Sequence, residues 1–311
     1  MKALRITITL MLILALLAGC AARAGNPIVE VTPPPGYPEA EDFQPIPPII
    51  GGDVSPVPMP YEDEGDHEQA VAAVISIDFA DIADLDTQGR GWGHGGPVDE
   101  HNRSTGALLF QQRYGHLDAH FIRPDSDKIY FTFDQGYEYG FTPVILDTLR
   151  DKGVPGAFFL TMHFAQSHPD LVQRMIDEGH VLANHSTAHR NFPTMPLSEA
   201  MDDVLKLHEY ILENFGYEMT LFRFPEGAFS EQTLALLQKI GYQSIFWSFA
   251  YRDWEIDNQP LTIDAINRIT GAVHPGAIYL FHSVSRTNSE VLGEVIDIIR
   301  AQGFEFARLE L

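Results

Sequence analysis

The sequence predicts an α/β fold of repeated strand–helix units, about seven of them, closed or nearly closed into a barrel. Three observations carry that prediction. From Lys128 onward, short runs rich in aromatic and β-branched residues alternate with longer amphipathic stretches that stop at glycine. Units of this length join parallel strands through right-handed crossovers. Polar residues recur where the strand patterns end, and a βα barrel brings those ends to one face.

The first strand covers about 129–133, where Ile129, Tyr130, Phe131 and Phe133 have the character of a strand covered on both sides. It stops at Asp134 and Gln135, with a glycine behind them. That composition serves a strand-ending turn as well as an active site. A helix follows over 141–153, with Val144, Ile145 and Leu149 on its apolar face and a stop at Gly153. Next come a strand at 154–161, a helix at 169–179 and a strand at 180–186. The helix over 197–216 has Ser198 as its expected N-cap and Gly216 as its stop. The segment "TLFRFPEG" at 220–227 is the fourth strand with its turn. Helix 230–241, strand 242–249, helix 262–273, strand 277–283, helix 289–303 and a last strand at 304–311 complete the pattern.

The first 127 residues read differently. Lys2 and Arg5 precede an apolar run too short for a comfortable membrane span, so residues 1–19 read as a secretory signal. Leu17-Ala18-Gly19-Cys20 has the form of a bacterial lipobox, and Cys20 is the only cysteine, the expected site of lipidation. Residues 20–69 are rich in proline and acid and are expected to remain extended as a tether. At about 3 Å per residue they would hold a domain up to roughly 100 Å from a membrane. Residues 70–127 are expected to pack on the barrel as an extension, anchored by Trp92. Gly91, Gly93 and Gly96 match a dinucleotide-binding pattern formally, but no strand precedes them and Pro97, Asp99 and Glu100 follow where a helix should open. With 43 acidic against 20 basic residues, a net charge of −23, the chain is not expected to bind nucleic acid.

The polar strand ends define the candidate site. Asp134 and Gln135 end the first strand, His185 and His189 follow the third, and Arg223 and Glu226 flank the fourth. Asp253 and Trp254 follow the fifth, and His282 ends the sixth. Two histidines four apart, in "NHSTAHRN", have the spacing that lets both imidazoles on one side of a helical turn reach one metal. No role is assigned to His163, His168, His180 or His208.

The segments "TFDQG", "HSTAH", "RFPEG", "FWSFAYRDW" and "LFHS", in this order, resemble the motifs of the NodB-homology polysaccharide deacetylases, carbohydrate esterase family 4. The resemblance covers residues 128–311, which it marks as the deacetylase domain. The phrases "FDQGYEYGFTPVILDTLRDKGVPGAFFLT" and "HPGAIYLFHSVSRTN" are similar to the branch that de-N-acetylates muramic acid on the way to muramic δ-lactam. The fold implied is a distorted (β/α)7 barrel, and the reaction implied is hydrolysis of N-acetyl groups from a polysaccharide aminosugar. By the same resemblance Asp134 is the general base, His282 the general acid, Arg223 the partner of Asp134, and Asp253 tunes the acid or the arginine. His185 and His189 would hold a divalent metal, zinc or another. Trp254 and Tyr137 would contact sugar, and backbone N–H groups at Glu226 and Gly227 would face the oxyanion.

Two positions depart from the family. Gln135 stands where most members have a third, carboxylate metal ligand, so only a weak ligand is expected there. Glu226 stands where one δ-lactam enzyme pattern has a basic residue, and a carboxylate there would repel the lactyl carboxylate of N-acetylmuramic acid. The implied partner is therefore a peptidoglycan glycan strand acted on by a monomer anchored outside the cytoplasmic membrane and facing the wall. N-acetylglucosamine stands as the alternative substrate. A wall-binding lipoprotein without activity is the alternative class.

Overall fold

The computed structural model describes residues 78–310; Cys20, the tether and the extension up to residue 77 lie outside the described residues. The chain enters through β1 (Arg90–Gly91), α1 (Thr105–Tyr114) and β2 (Ala119–His120). The repeated units follow: β3 (Tyr130–Gln135), α2 (Thr142–Lys152), β4 (Gly156–Leu160), α3 (Met162–Ser167), α4 (Pro169–Asp177), β5 (Val181–Asn184) and α5 (Leu197–Phe215). After β6 (Leu221–Phe222) and β7 (Ala228–Phe229) come α6 (Glu231–Lys239), β8 (Gln243–Ile245), α7 (Thr262–Gly271), β9 (Ile278–His282) and α8 (Arg286–Ala301).

Seven strands form one parallel sheet in the order β2-β8-β6-β5-β4-β3-β9. Beyond β8 the chain crosses to the far edge: Ser248 N–H donates to Ile278 O and Leu280 N–H to Phe249 O, both at 2.9 Å. That contact joins the continuation of β8 to the far edge strand β9 and curls the sheet into the distorted (β/α)7 barrel the sequence predicts.

Alternation along β3 sorts its side chains onto two faces. Tyr130 packs inside the barrel with Ala157, Phe159, Val181 and Ile245, and Thr132 and Asp134 share that face. Phe131 and Phe133 point outward into the larger core beneath the helices, where Phe133 stacks on Phe158 at 4.9 Å. Gln135 falls on this outer face.

Gly153 and Gly216 end α2 and α5 in the left-handed region, at φ 61° and 64°, as the sequence predicts. Ser198 is not the cap of α5. The helix opens at Leu197 after Pro196, whose fixed φ of −57° sets the turn without a side-chain bond. The helix expected at 289 starts at Arg286, capped by Ser285, whose Oγ accepts from Asn288 N–H.

The extension does more than pack alongside. Its residues Ala119 and His120 pair with β8 as a strand of the main sheet. Trp92 is the expected anchor: buried, it packs on Phe110 and Phe121 and donates from Nε1 to Trp247 O at 2.9 Å. At the other end, the strand expected over 304–311 does not form. Only a bridge between Ile129 and Phe306 links that segment to the sheet.

Candidate active site

Asp134 ends β3 inside the barrel mouth, opposite His282 of β9 in the strand register. Its Oδ1 accepts from Arg223 Nη1 at 2.7 Å, and its Oδ2 lies 3.4 Å from His185 Nε2. Burial opposes the Asp134 charge, yet the Arg223 guanidinium and then His185 outweigh it and hold the carboxyl below the usual carboxylate range. The ground state at Asp134 is an anion.

Arg223 is fully buried, which only complete hydrogen bonding makes tolerable. Nε donates to Ile245 O at 3.1 Å, and Nη2 donates to Thr132 Oγ1 at 2.8 Å and to Phe246 O at 3.3 Å. The guanidinium plane also lies 4.0 Å over the Phe159 ring. The cation is thus fixed from three sides, with one nitrogen left to aim at Asp134.

The histidine pair sits on a loop, not on the helical turn its spacing predicts. Ser186 and His189 are left-handed, at φ 72° and 49°, a conformation that costs non-glycine residues about 1–2 kcal/mol each. Hydrogen bonds hold it: Ser186 N–H to Asn184 Oδ1 at 2.8 Å, His189 N–H to Ser186 Oγ at 2.7 Å, and Thr187 N–H to Asp203 Oδ1 of α5 at 2.8 Å. The imidazoles end 5.0 Å apart at 82°. Because Arg223 O can only accept, His185 Nδ1 carries the hydrogen in their 2.9 Å bond, and Nε2 presents its lone pair to the mouth. Burial pushes both rings toward the neutral form, His189 to about 4.

A metal ligand requires a neutral imidazole, and at His185 one nitrogen is also pinned by a carbonyl. The pair therefore fits a divalent ion held by two nitrogens. Among the described residues, no three His, Cys, Asp or Glu side chains gather into a metal-binding set. Gln135 does not supply the third ligand. It faces away from Asp134, and its amide is committed to Ser283 Oγ at 2.5 Å and to Thr142 Oγ1 at 3.5 Å.

On the opposite side, His282 Nδ1 is 2.7 Å from Asp253 Oδ1, and the His282 backbone N–H donates to Asp253 Oδ2 at 2.8 Å. Burial works against the imidazolium, but Asp253 prevails and raises the His282 pKa. Trp254 is 36% exposed with its ring 5.4 Å from that of His282, while Tyr137 is 49% exposed and lies against His163. Trp254 thus has its ring beside the site, whereas Tyr137 is placed only by following the end of β3.

The turn after β6 corrects one expectation. Gly227 N–H donates to Phe224 O at 3.0 Å, so it is committed within the turn. Gly227 is required there for another reason: at φ 65°, a Cβ would come within 2.7 Å of Trp92 O. Glu226 is itself left-handed at φ 58° and exposed beside the histidine loop, where its charge acts on His189. Asn288, Tyr251, Thr132 and Asp203 also bond to this site or its loops and went unnoticed in the sequence. Asn288 and Asp203 lie within helices, where their residue types read as capping and solvent-facing groups.

Residues 122–245 match the family model for polysaccharide deacetylases. The chain is 40% identical over 195 residues to peptidoglycan-N-acetylmuramic acid deacetylase PdaA of Bacillus subtilis, spanning 62% of this chain and 74% of that protein. It is 31% identical over 183 residues to peptidoglycan-N-acetylglucosamine deacetylase PgdA of Listeria monocytogenes, spanning 59% of this chain but 38% of that longer protein. The solved structure of Bacillus subtilis PdaA, a family 4 carbohydrate esterase, superposes with a TM-score of 0.68 at 36% identity, covering 71% of this chain and 95% of that one. A family 4 carbohydrate esterase from Bacillus anthracis superposes with a TM-score of 0.60 at 33% identity, covering 72% and 95%. The family model spans the strand ends that carry Asp134, His185, His189, Arg223 and Glu226, and the chain belongs to the polysaccharide deacetylase family, carbohydrate esterase family 4.

Proposed function

We propose that the protein hydrolyses N-acetyl groups from peptidoglycan aminosugars, with N-acetylmuramic acid as substrate and muramic δ-lactam as the eventual product in the wall. The observation that carries this reading is the pairing of two dyads across one mouth, buried Asp134 with buried Arg223 and half-buried His282 with buried Asp253. Arg223 holds Asp134 as an anion and Asp253 biases His282 toward the cation, as a base and an acid must be.

In this reading Asp134 Oδ2 accepts a proton from the attacking water, whose oxygen adds to the acetyl carbonyl carbon. Arg223 fixes Oδ1 and leaves Oδ2 toward the site. The backbone N–H of Glu226 alone keeps the oxyanion role, since that of Gly227 is committed to Phe224. When the carbon–nitrogen bond breaks, His282 Nε2–H protonates the departing amine, and acetic acid and the free amine leave. His185 and His189 would hold the divalent ion, which supplies polarisation of the carbonyl and a lower pKa for the water. Trp254 and Tyr137 would flank the sugar with their exposed rings.

Glu226 favours a second reading, in which N-acetylglucosamine is preferred because it lacks the lactyl carboxylate. Anchoring at Cys20 and action outside the cytoplasmic membrane belong to the same proposal and rest on the lipobox and the wall substrates of the relatives. The test is mass spectrometry of muramidase-digested peptidoglycan incubated with the protein, with divalent metals or with chelator. Metal-dependent loss of acetyl mass from muramic acid supports the first reading, and a further loss of water shows lactam closure. Loss from glucosamine establishes the second, and no loss on any glycan overturns both.

A further inference from the structure

The acid side of the site has a support that the reaction as written does not invoke. Asp253 is fully buried and receives three donors: His282 Nδ1 on Oδ1 at 2.7 Å, and His282 N–H and Asn288 Nδ2 on Oδ2 at 2.8 Å and 2.6 Å. Asn288 lies in the first turn of α8 and is itself buried, with its backbone N–H held by Ser285 Oγ at 3.1 Å. Packing alone does not decide which end of its amide faces Asp253. The Asp253 carboxylate does, because it can only accept and so takes the amide NH2. The amide oxygen is then left to the buried Tyr251 hydroxyl, which donates to Asn288 Oδ1 and holds the amide in that orientation.

A chain of hydrogen bonds therefore runs from Tyr251 through Asn288 and Asp253 to His282, with every hydrogen directed toward the carboxylate. The two Asp253 oxygens receive different tasks. Oδ2 is filled by the amide and the backbone, which leaves Oδ1 to the imidazole. Without Asn288, Oδ2 would keep one donor, and a buried carboxylate short of donors turns toward whatever proton it can reach. The neighbouring Gln259 braces the same loop by donating to Asp253 O and Glu255 O at 2.8 Å while its Oε1 accepts from Ser285 Oγ. The loop and the first turn of α8 are one hydrogen-bonded unit.

We propose that Asn288, held by Tyr251, is a positioning residue for the proton-donating step: it fixes the Asp253 carboxylate so that the His282 ring keeps Nδ1–H inward and Nε2 toward the leaving amine. The inference rests on the acid role given to His282 above. It predicts that the amide matters for turnover more than for binding, because it touches no part of the mouth.

The test compares Asn288→Ala and Tyr251→Phe with the wild-type protein by steady-state deacetylation and by NMR titration of the His282 imidazole without substrate. Asn288→Ala should lower kcat by on the order of tenfold or more with KM within about twofold. The donor lost from Asp253 leaves more negative charge facing the ring, so His282 should hold its proton to higher pH, and the basic limb of the rate profile should move the same way. Tyr251→Phe, which removes one oxygen and tests the point even where Asn288→Ala fails to fold, should shift both in the same direction by less. Unchanged kcat and an unchanged His282 titration in Tyr251→Phe and in folded Asn288→Ala would overturn the proposal. If the wild-type protein deacetylates no glycan, the reading of the reaction falls, while the His282 titration still decides for or against Asn288.

Discussion

Arg223 Nη1 lies 2.7 Å from Asp134 Oδ1, and the arginine is fully buried while the aspartate is 7% exposed. A buried pair of this kind gains little over an apolar pair of the same shape, yet removing one partner leaves an uncompensated charge. Its retention at the mouth is explained by what it does to Asp134, which it keeps ionised against the pull of burial.

Arg223→Met should therefore cost both stability and rate. The exposed loss is the interaction with a buried anion, about 3–5 kcal/mol, read as a lower urea midpoint at neutral pH. Asp134 has a folded pKa below its unfolded value, so its contribution is present above the unfolded value near 3.8 and lost as pH falls through the folded one. The deficit of Arg223→Met should accordingly shrink in strong acid. Arg223→Lys keeps the charge without the fork and should fall between the two in kcat. A variant with wild-type kcat and midpoint would show that the pair is dispensable.

Much of the site was legible because the strand ends fall on one face, and Asp134, His185, Arg223, Asp253 and His282 needed only that topology to meet. What the sequence hid follows from short range and from alternation. The two-residue β2 is too brief to show a period, and only pairing with β8 makes it a strand. The last strand failed because "FEFARLEL" has the alternation but only a bridge at Ile129 to receive it. Gln135 follows Asp134 directly, so a period of two turns it to the outer face. Asn288 was invisible because its partner Tyr251 is distant in sequence, and the bond between them exists only after the barrel closes.

Asp203 should control metal affinity without touching the metal. Its carboxylate and backbone carbonyl hold Thr187, at 2.8 Å and 2.6 Å, in the centre of the left-handed loop that carries both histidines. Asp203→Ala should weaken divalent-ion binding by about tenfold, measured by chelator competition on the substrate-free protein. Asp203→Asn keeps an acceptor for Thr187 N–H and should retain most of the affinity. Removing the ion with chelator should abolish deacetylation in every variant, and adding it back should restore it. Equal affinities in Asp203→Ala and wild type would show that the loop holds itself.

His180 should make the fold sensitive to mild acid. The ring is 3% exposed, its Nδ1 accepts from Gly156 N–H at 3.0 Å, and burial pushes its pKa down from 6.5 to about 4. Between those values the unfolded chain binds a proton that the folded one refuses. Stability is thus full above about pH 6.5 and declines toward pH 4, by on the order of 3 kcal/mol at about 1.4 kcal/mol per pKa unit. Glu178, whose Oε2 lies 3.9 Å from His180 Nε2, blunts the loss by meeting the protonated ring. His180→Asn keeps an acceptor for Gly156 and removes the titration, so its urea midpoint should fall less than that of wild type between about pH 6.5 and 4.5. Parallel curves would assign the acid sensitivity to other groups.

Glu226 offers the sharpest test of substrate. It is exposed at the mouth in a left-handed conformation, close enough for its charge to act on His189. A lactyl carboxylate approaching the proposed metal site at His185 and His189 would meet that charge, whereas N-acetylglucosamine brings none. Glu226→Arg should therefore raise kcat/KM on glycans rich in muramic acid and leave it unchanged on glucosamine oligomers, by about tenfold if the two carboxylates approach within a few ångströms at an effective dielectric near that of water, as the exposure of Glu226 implies. Glu226→Gln, which removes the repulsion without adding attraction, should give part of the gain. Because both substitutions alter only a side chain, the backbone N–H proposed to face the oxyanion stays in place and kcat on glucosamine serves as the internal control. A gain on muramic acid would identify Glu226 as the residue that holds the substrate preference away from it. No gain would mean that the lactyl group is bound elsewhere along the mouth, on the side of Trp254 and His282.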